Sequence, residues 1–174
     1  MLAIGLGWIL GWRPGETIRW ELGDALWGLV ATVPLVAVLL VCVYAPIGFL
    51  RDLLGTIDRL VVPLFRGWGL LEMALVAGLA GLGEELLFRG VIQSAVSDWM
   101  GGDYGPLWGL IFASLLFGSV HAISAAYAVL AAGIGFYLGE LMIVTGNLLV
   151  PIVAHAMYDF LALIYLVRAR GSER

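Results

Sequence analysis

Six ionisable side chains stand inside otherwise apolar sequence, and their spacing singles them out. Glu84 and Glu85 are adjacent, and Arg89 follows Glu85 by four residues. His121 lies four residues after Phe117, and Asp159 four residues after His155. An i, i+4 spacing puts two side chains on one face of a helix. Three separate apolar segments therefore each carry one polar face. Brought together, a carboxylate beside an imidazole can orient and deprotonate a water. A second imidazole and a further hydrogen-bonding group can then stabilise the oxyanion formed when that water attacks a carbonyl. The same donor set, Glu84, His121, His155 and Asp159, also suits zinc, which lowers the pKa of a bound water. Either route hydrolyses an amide.

The cost of placing these groups makes the pattern informative. A charge at the centre of a bilayer costs several kcal/mol even on lenient scales, and such residues usually face the interior of a helical bundle. Taken singly, each has a plainer reading: a hydrogen-bonded structural histidine, or a neutralised Glu85–Arg89 pair. Glu72 and Glu140 fall near segment ends and read as interfacial. Proton-coupled transport is the competing use of such residues on physical grounds, although no internal repeat points to a transporter.

The elements that must position these residues follow from composition. The chain has 174 residues, 62% hydrophobic and 13% charged, with a mean hydropathy of +1.02. A soluble domain is nearer ~45–50% apolar. These values describe an all-α, polytopic transmembrane bundle. Apolar runs at about 24–46, 68–97, 106–124, 125–144 and 148–168 are each long enough to cross a bilayer as a helix. They are continuous rather than alternating, so helices are expected and not a barrel. Residues 1–12 are short for a span and lack the charged start and cleavage site of a signal peptide. The expected count is thus five to six spans.

Between the first two runs, Leu53, Leu54, Ile57, Leu60, Val61 and Leu64 recur at helical spacing among Asp52, Asp58, Arg59 and Arg66. That pattern predicts one interfacial amphipathic helix. The chain divides into N-terminal membrane segments with this helix (1–67), a helical bundle holding the polar faces (68–168) and a polar tail (169–174). "GGDYGP" at 101–106 and "TGN" at 145–147 read as turns. On Glu84 and His121, about fifteen residues into antiparallel spans, a rise of ~1.5 Å per residue predicts a meeting near mid-membrane, with His155 about 10 Å into its own span.

The net charge is −4, there is no lysine, and no basic patch supports nucleic-acid binding. The single Cys42 excludes a disulfide scaffold and reads as a small apolar residue in a helix. Arg51, Arg59, Arg66, Arg168, Arg170 and Arg174 share one side if the spans alternate, against Arg13 and Arg19 on the other. This asymmetry predicts a cytoplasmic C-terminus. The spacings Gly7/Gly11, Gly105/Gly109 and Gly135/Gly139 read as general helix packing.

"EELLFR" (84–89), "FGSVH" (117–121) and "HAMYD" (155–159), in this order on hydrophobic segments, resemble the E-E-x-x-x-R, F-x-x-x-H and H-x-x-x-N motifs of the CAAX prenyl protease and bacteriocin-processing (CPBP, or ABI) family of intramembrane proteases. "TGNLLVPIVAHA" is similar to the family's lead-in to the third motif. The resemblance covers about residues 68–166. It implies a multi-pass endopeptidase of a bacterial plasma membrane, acting on a peptide or protein substrate at the bilayer. Glu84 and His121 would activate water, His155 and residue 159 would support the oxyanion, and Glu85 and Arg89 would hold the site in shape. It leaves both a divalent-metal and a metal-free glutamate mechanism open, with Glu84, His121, His155 and Asp159 as the metal candidates. It also leaves room for a non-catalytic scaffold or bacteriocin-immunity role. The chain departs from the family at position 159, where Asp replaces a frequent Asn; an ionised Asp cannot donate to an oxyanion.

Overall fold

Leu71, Leu75 and Leu79 form a row at helical spacing that is 58–72% exposed, a surface that water would penalise and lipid accepts. The structure is a computed structural model describing residues 2–169. Its described residues fold as helices without a strand: α1 (Leu2–Leu10), α2 (Leu22–Tyr44), α3 (Gly48–Leu60), α4 (Leu70–Leu87), α5 (Ser94–Met100), α6 (Gly105–Val120), α7 (Ala125–Thr145) and α8 (Leu149–Ile164). A π-helical segment, Phe88–Gln93, joins α4 to α5, and another, Tyr165–Ala169, extends α8. The tail expected at 169–174 lies, Ala169 apart, outside the described residues, with Arg170 and Arg174.

Three of these helices, Leu22–Tyr44, Ala125–Thr145 and Leu149–Arg168, are long and apolar enough to cross a membrane by length and composition. The other two expected spans are altered. α6 has only 16 residues, and α4, although 18 residues long, carries Glu72, Glu84 and Glu85. Glu72 stands at the start of α4, where its Oε2 accepts a hydrogen bond from the Gly69 N–H and caps the helix.

The amphipathic helix forms as α3, shorter than expected. Leu50, Leu53, Leu54 and Ile57 pack with Cys42 of α2 and with Leu166. Leu60 and Leu64, expected on the same face, are exposed; the helix stops at Leu60, and a tight turn over Val62–Phe65 containing Pro63 follows. Cys42 is buried in this cluster as a small apolar residue.

Two glycines let helices approach closely. A Cβ on Gly28 of α2 would stand 2.9 Å from the Val150 carbonyl oxygen of α8, and one on Gly81 of α4 would stand 2.8 Å from the Ala156 nitrogen. The second approach brings α4 against the turn of α8 that carries His155.

The α7–α8 turn is clasped from the N-terminal side. Gly146 takes φ +59° to end α7. Asn147, fully buried, accepts from the Arg19 and Leu149 backbone N–H groups and donates to the Arg19 carbonyl and the Asp24 carboxylate. Replacing Asn147 by Ala leaves several buried partners unpaired, at about 1–3 kcal/mol for each one desolvated. Asn147→Ala is expected to lose about 2–4 kcal/mol of stability, read as a lowered thermal transition in detergent; an unchanged transition would show that the clasp carries no load.

Candidate active site

α4 with the π-helical segment after it, the C-terminal cap of α6, and α8 supply the six side chains, and the structure brings all six together. Glu85 and Arg89 form the inner layer. Glu85 Oε1 accepts from Arg89 Nη1 at 2.7 Å and from His155 Nδ1 at 2.7 Å. Arg89 also donates through Nη2 to the Gly135 carbonyl of α7 at 2.7 Å, and its guanidinium lies 4.9 Å from the Phe117 ring centroid. Glu85 and Arg89 are fully buried, and the His155 side chain is 5% exposed.

The second layer faces a small cavity of about 90 Å³. Glu84 Oε2 stands 3.6 Å from His121 Nε2 and 4.0 Å from His155 Nε2. Asp159 Oδ2 stands 3.4 Å from the same His155 nitrogen. Side chains of this layer other than His155 are about a third exposed, so the outer layer is open to its surroundings and the inner one is closed.

The hydrogen bonds assign the histidine protons. A carbonyl oxygen only accepts, so His121 Nδ1 carries the proton it donates to Phe117 O at 2.7 Å. His155 Nδ1 likewise donates to the Glu85 oxygen that also accepts from Arg89. Both Nε2 atoms therefore turn toward Glu84. Glu84 Oε2 is shielded and receives no hydrogen bond from a described residue. A proton-bearing guest can stand about 2.8 Å from this oxygen and from an imidazole nitrogen, off the line between them.

His121 differs from the mid-helix position expected of it. α6 ends at Val120 and His121 caps it; Ser124 then starts α7 by accepting a hydrogen bond from Tyr127 N–H. The boundary expected between the runs 106–124 and 125–144 is thus present, but α6 stops a few residues earlier, so the imidazole hangs at a helix end instead of within a span. His155 lies in the second turn of α8, as its depth suggested.

The π-helical segment adds residues that spacing alone did not bring forward. Gln93, buried and four residues beyond Arg89, donates to the Gly139 carbonyl at 3.1 Å. Arg89 and Gln93 thus grip two α7 carbonyls that are themselves four residues apart. Gly135/Gly139 is the glycine pair read as general packing; without side chains these residues leave their carbonyls open to α4. The i, i+4 step from Arg89 to Gln93 was the available signal. π-helical turns in α-helices recur at functional sites. Tyr127 and Tyr158 also line the cavity and were not singled out.

A zinc shell is not formed by these side chains as they stand. Tetrahedral zinc with bonds of about 2.0–2.1 Å sets its donors about 3.3 Å apart, whereas Glu84 Oε2 and His155 Nε2 are 4.0 Å apart. Among the described residues no group of three His, Cys, Asp or Glu side chains is disposed to hold a metal ion. Glu84 and the imidazoles are themselves competent acids and bases.

A 36% identical segment of 81 residues is shared with "Uncharacterized protein YpbD" of Bacillus subtilis (strain 168), covering 47% of this chain and 38% of that protein. The chain thus spans well under half the length of this relative. No solved structure matches it. Residues 66–161 match the family described as Type II CAAX prenyl endopeptidase Rce1-like. That span covers more than half of the chain and contains all six residues of the cluster, and the chain, a helical membrane protein, belongs to this family.

Proposed function

We propose that the protein is an intramembrane endopeptidase of the CAAX-protease type that cleaves a peptide bond with a water activated by Glu84 and His121. The observation that carries this reading is the convergence of Glu84 Oε2 on the Nε2 atoms of His121 and His155, at 3.6 and 4.0 Å, beside a cavity large enough for a water and a scissile carbonyl. Family membership supports it independently.

The reaction assigns a task to each group. The water oxygen attacks the carbonyl carbon while Glu84, with His121 beside it, takes one water proton. The carbonyl oxygen becomes the oxyanion of a tetrahedral intermediate, and His155 supports it through Nε2 only as the doubly protonated imidazolium, its Nδ1–H still donated to Glu85. Collapse breaks the C–N bond, and Glu84 returns the proton to the departing amine. Glu85, held by Arg89, fixes the His155 ring and its tautomer. Asp159, 3.4 Å from His155 Nε2, orients that ring from the open side.

The site lies toward the end of the bundle where α3 packs. An apolar chamber of about 230 Å³ between α3 and the site is lined by Leu53 and Ile57 at one end and by Tyr127 and Asp159 at the other. The arginines of that side, Arg51, Arg59, Arg66 and Arg168, favour the cytoplasmic face of a bacterial plasma membrane. A substrate reaching the site from this face would be a membrane-anchored peptide or protein.

The experiment is a comparison of new peptide termini. Purified wild-type protein, reconstituted in vesicles with a bacterial membrane proteome, is expected to create a defined set of termini that His121→Ala does not create. Identical termini from both proteins, or none from the wild type, would sink the endopeptidase reading in favour of a scaffold or immunity role.

A further inference from the structure

Asp159 leaves the proposed hydrolysis short of a neutral hydrogen-bond donor. Ionised, its carboxylate only accepts, and it shares His155 Nε2 with Glu84. With His155 Nε2 already facing two carboxylates, a negative charge growing on a substrate carbonyl oxygen needs a further hydrogen-bond donor.

The cavity offers two, Tyr127 and Tyr158; its remaining lining beyond Glu84, the two histidines and Asp159 is apolar. A phenol at such a boundary ordinarily finds a hydrogen-bond partner. Tyr137 does, donating to the Ala31 carbonyl at 2.9 Å. The Tyr127 and Tyr158 hydroxyls make no hydrogen bond with any described residue.

Their surroundings separate the two. Tyr158 stands on α8 beside Asp159, whereas Tyr127 stands on α7 in its first turn, across the cavity lining from α8. The Tyr127 backbone is fixed, because Tyr127 N–H is the group that Ser124 caps at the start of α7, 3.1 Å from the serine Oγ. His121 and Tyr127 thus flank one short connection, so the α6–α7 break places a base and a donor at the same cavity.

We propose that Tyr127 is a further catalytic residue, its hydroxyl donating to the carbonyl oxygen of the scissile bond as that oxygen becomes an oxyanion. This rests on the endopeptidase reading above. In the step, the water–carbon bond forms and the C=O π pair moves onto oxygen. The Tyr127 O–H hydrogen bond shortens without its proton leaving, and the pair returns as the C–N bond breaks. The oxyanion support that the family pattern assigns to residue 159 passes in this chain to α7.

Tyr127→Phe removes one oxygen without a partner and keeps the ring, so the fold is expected to be retained. The probe is a synthetic peptide spanning a cleavage site mapped with wild-type protein, assayed in vesicles. Loss of a single oxyanion donor is expected to lower kcat by about 10²-fold, with KM near the wild-type value, as for an interaction made only in the transition state. Tyr158→Phe is expected to lose much less. Wild-type kcat in Tyr127→Phe, with Glu84→Gln inactive in the same vesicles, would overturn the tyrosine assignment alone. A larger loss in Tyr158→Phe would overturn it as well. A wild-type protein that produces no termini and cleaves no peptide would take the endopeptidase reading down with it.

Discussion

Glu84→Gln is expected to abolish peptide cleavage while the protein inserts, folds and packs as before. The substitution is nearly isosteric, and the side chain is about a third exposed, so no buried charge is left unpaired. What changes is chemistry. An amide cannot take a proton from water at neutral pH, and it offers an N–H where Glu84 Oε2 now offers an acceptor 3.6 Å from His121 Nε2. General base assistance is worth about 10²–10⁴-fold, and Glu84 also serves as the acid for the departing amine. The expected loss in kcat is therefore at least about 10³-fold, at an unchanged thermal transition. Because the fold is kept, the variant separates catalysis from scaffolding: a scaffold or immunity protein would work equally well with Gln at position 84.

The second large effect concerns stability. Arg89 is the permanently charged partner of the fully buried Glu85, and it also holds the Gly135 carbonyl. Arg89→Met leaves the Glu85 carboxylate buried without its counter-charge. Breaking a buried pair in this way costs about 3–5 kcal/mol, read as a large fall in the thermal transition in detergent. The double variant Glu85→Gln with Arg89→Met removes both charges and is expected to recover most of that loss, since a neutral replacement of a buried pair is often nearly neutral in stability. Activity should not return with it. A glutamine can donate to His155 Nδ1 as well as accept from it, so the tautomer that turns Nε2 to the cavity is no longer enforced. A double variant as unstable as the single one would show that the pair is held by packing and not by charge.

These expectations rest on contacts that differ in how readable they were beforehand. The Glu85–Arg89 pair follows directly from its i, i+4 spacing. The His155–Asp159 proximity follows for the same reason. The bond from Glu85 to His155 does not, because it depends on the rotation of α4 against α8. That rotation is set where Gly81 meets Ala156, a close approach no single-helix pattern contains. His121 illustrates a different loss. The division into runs at 124/125 matches the start of α7, but "SVHAIS" carries no proline or glycine to show that α6 ends already at Val120. Ser124, the cap of α7, marks the start of the second helix and leaves the end of the first unmarked.

The π-helical turn was equally silent. "FRGVIQ" reads as ordinary helix with one glycine, and nothing in it marks the altered winding from which Arg89 and Gln93 both reach α7. The helical, membrane-embedded character was readable because composition reports it directly. Span number was not, since α6 is short and α4 trades hydropathy for its glutamates.

The central claim is that a water held by Glu84 is added across a peptide bond. Cleavage of a mapped peptide in ¹⁸O-labelled water, with wild-type protein and Glu84→Gln side by side in vesicles, tests it most directly. The account expects the wild-type reaction to place labelled oxygen in the new C-terminal carboxylate, and the variant to form no product. Product without label, or labelled product from Glu84→Gln at the wild-type rate, would contradict it.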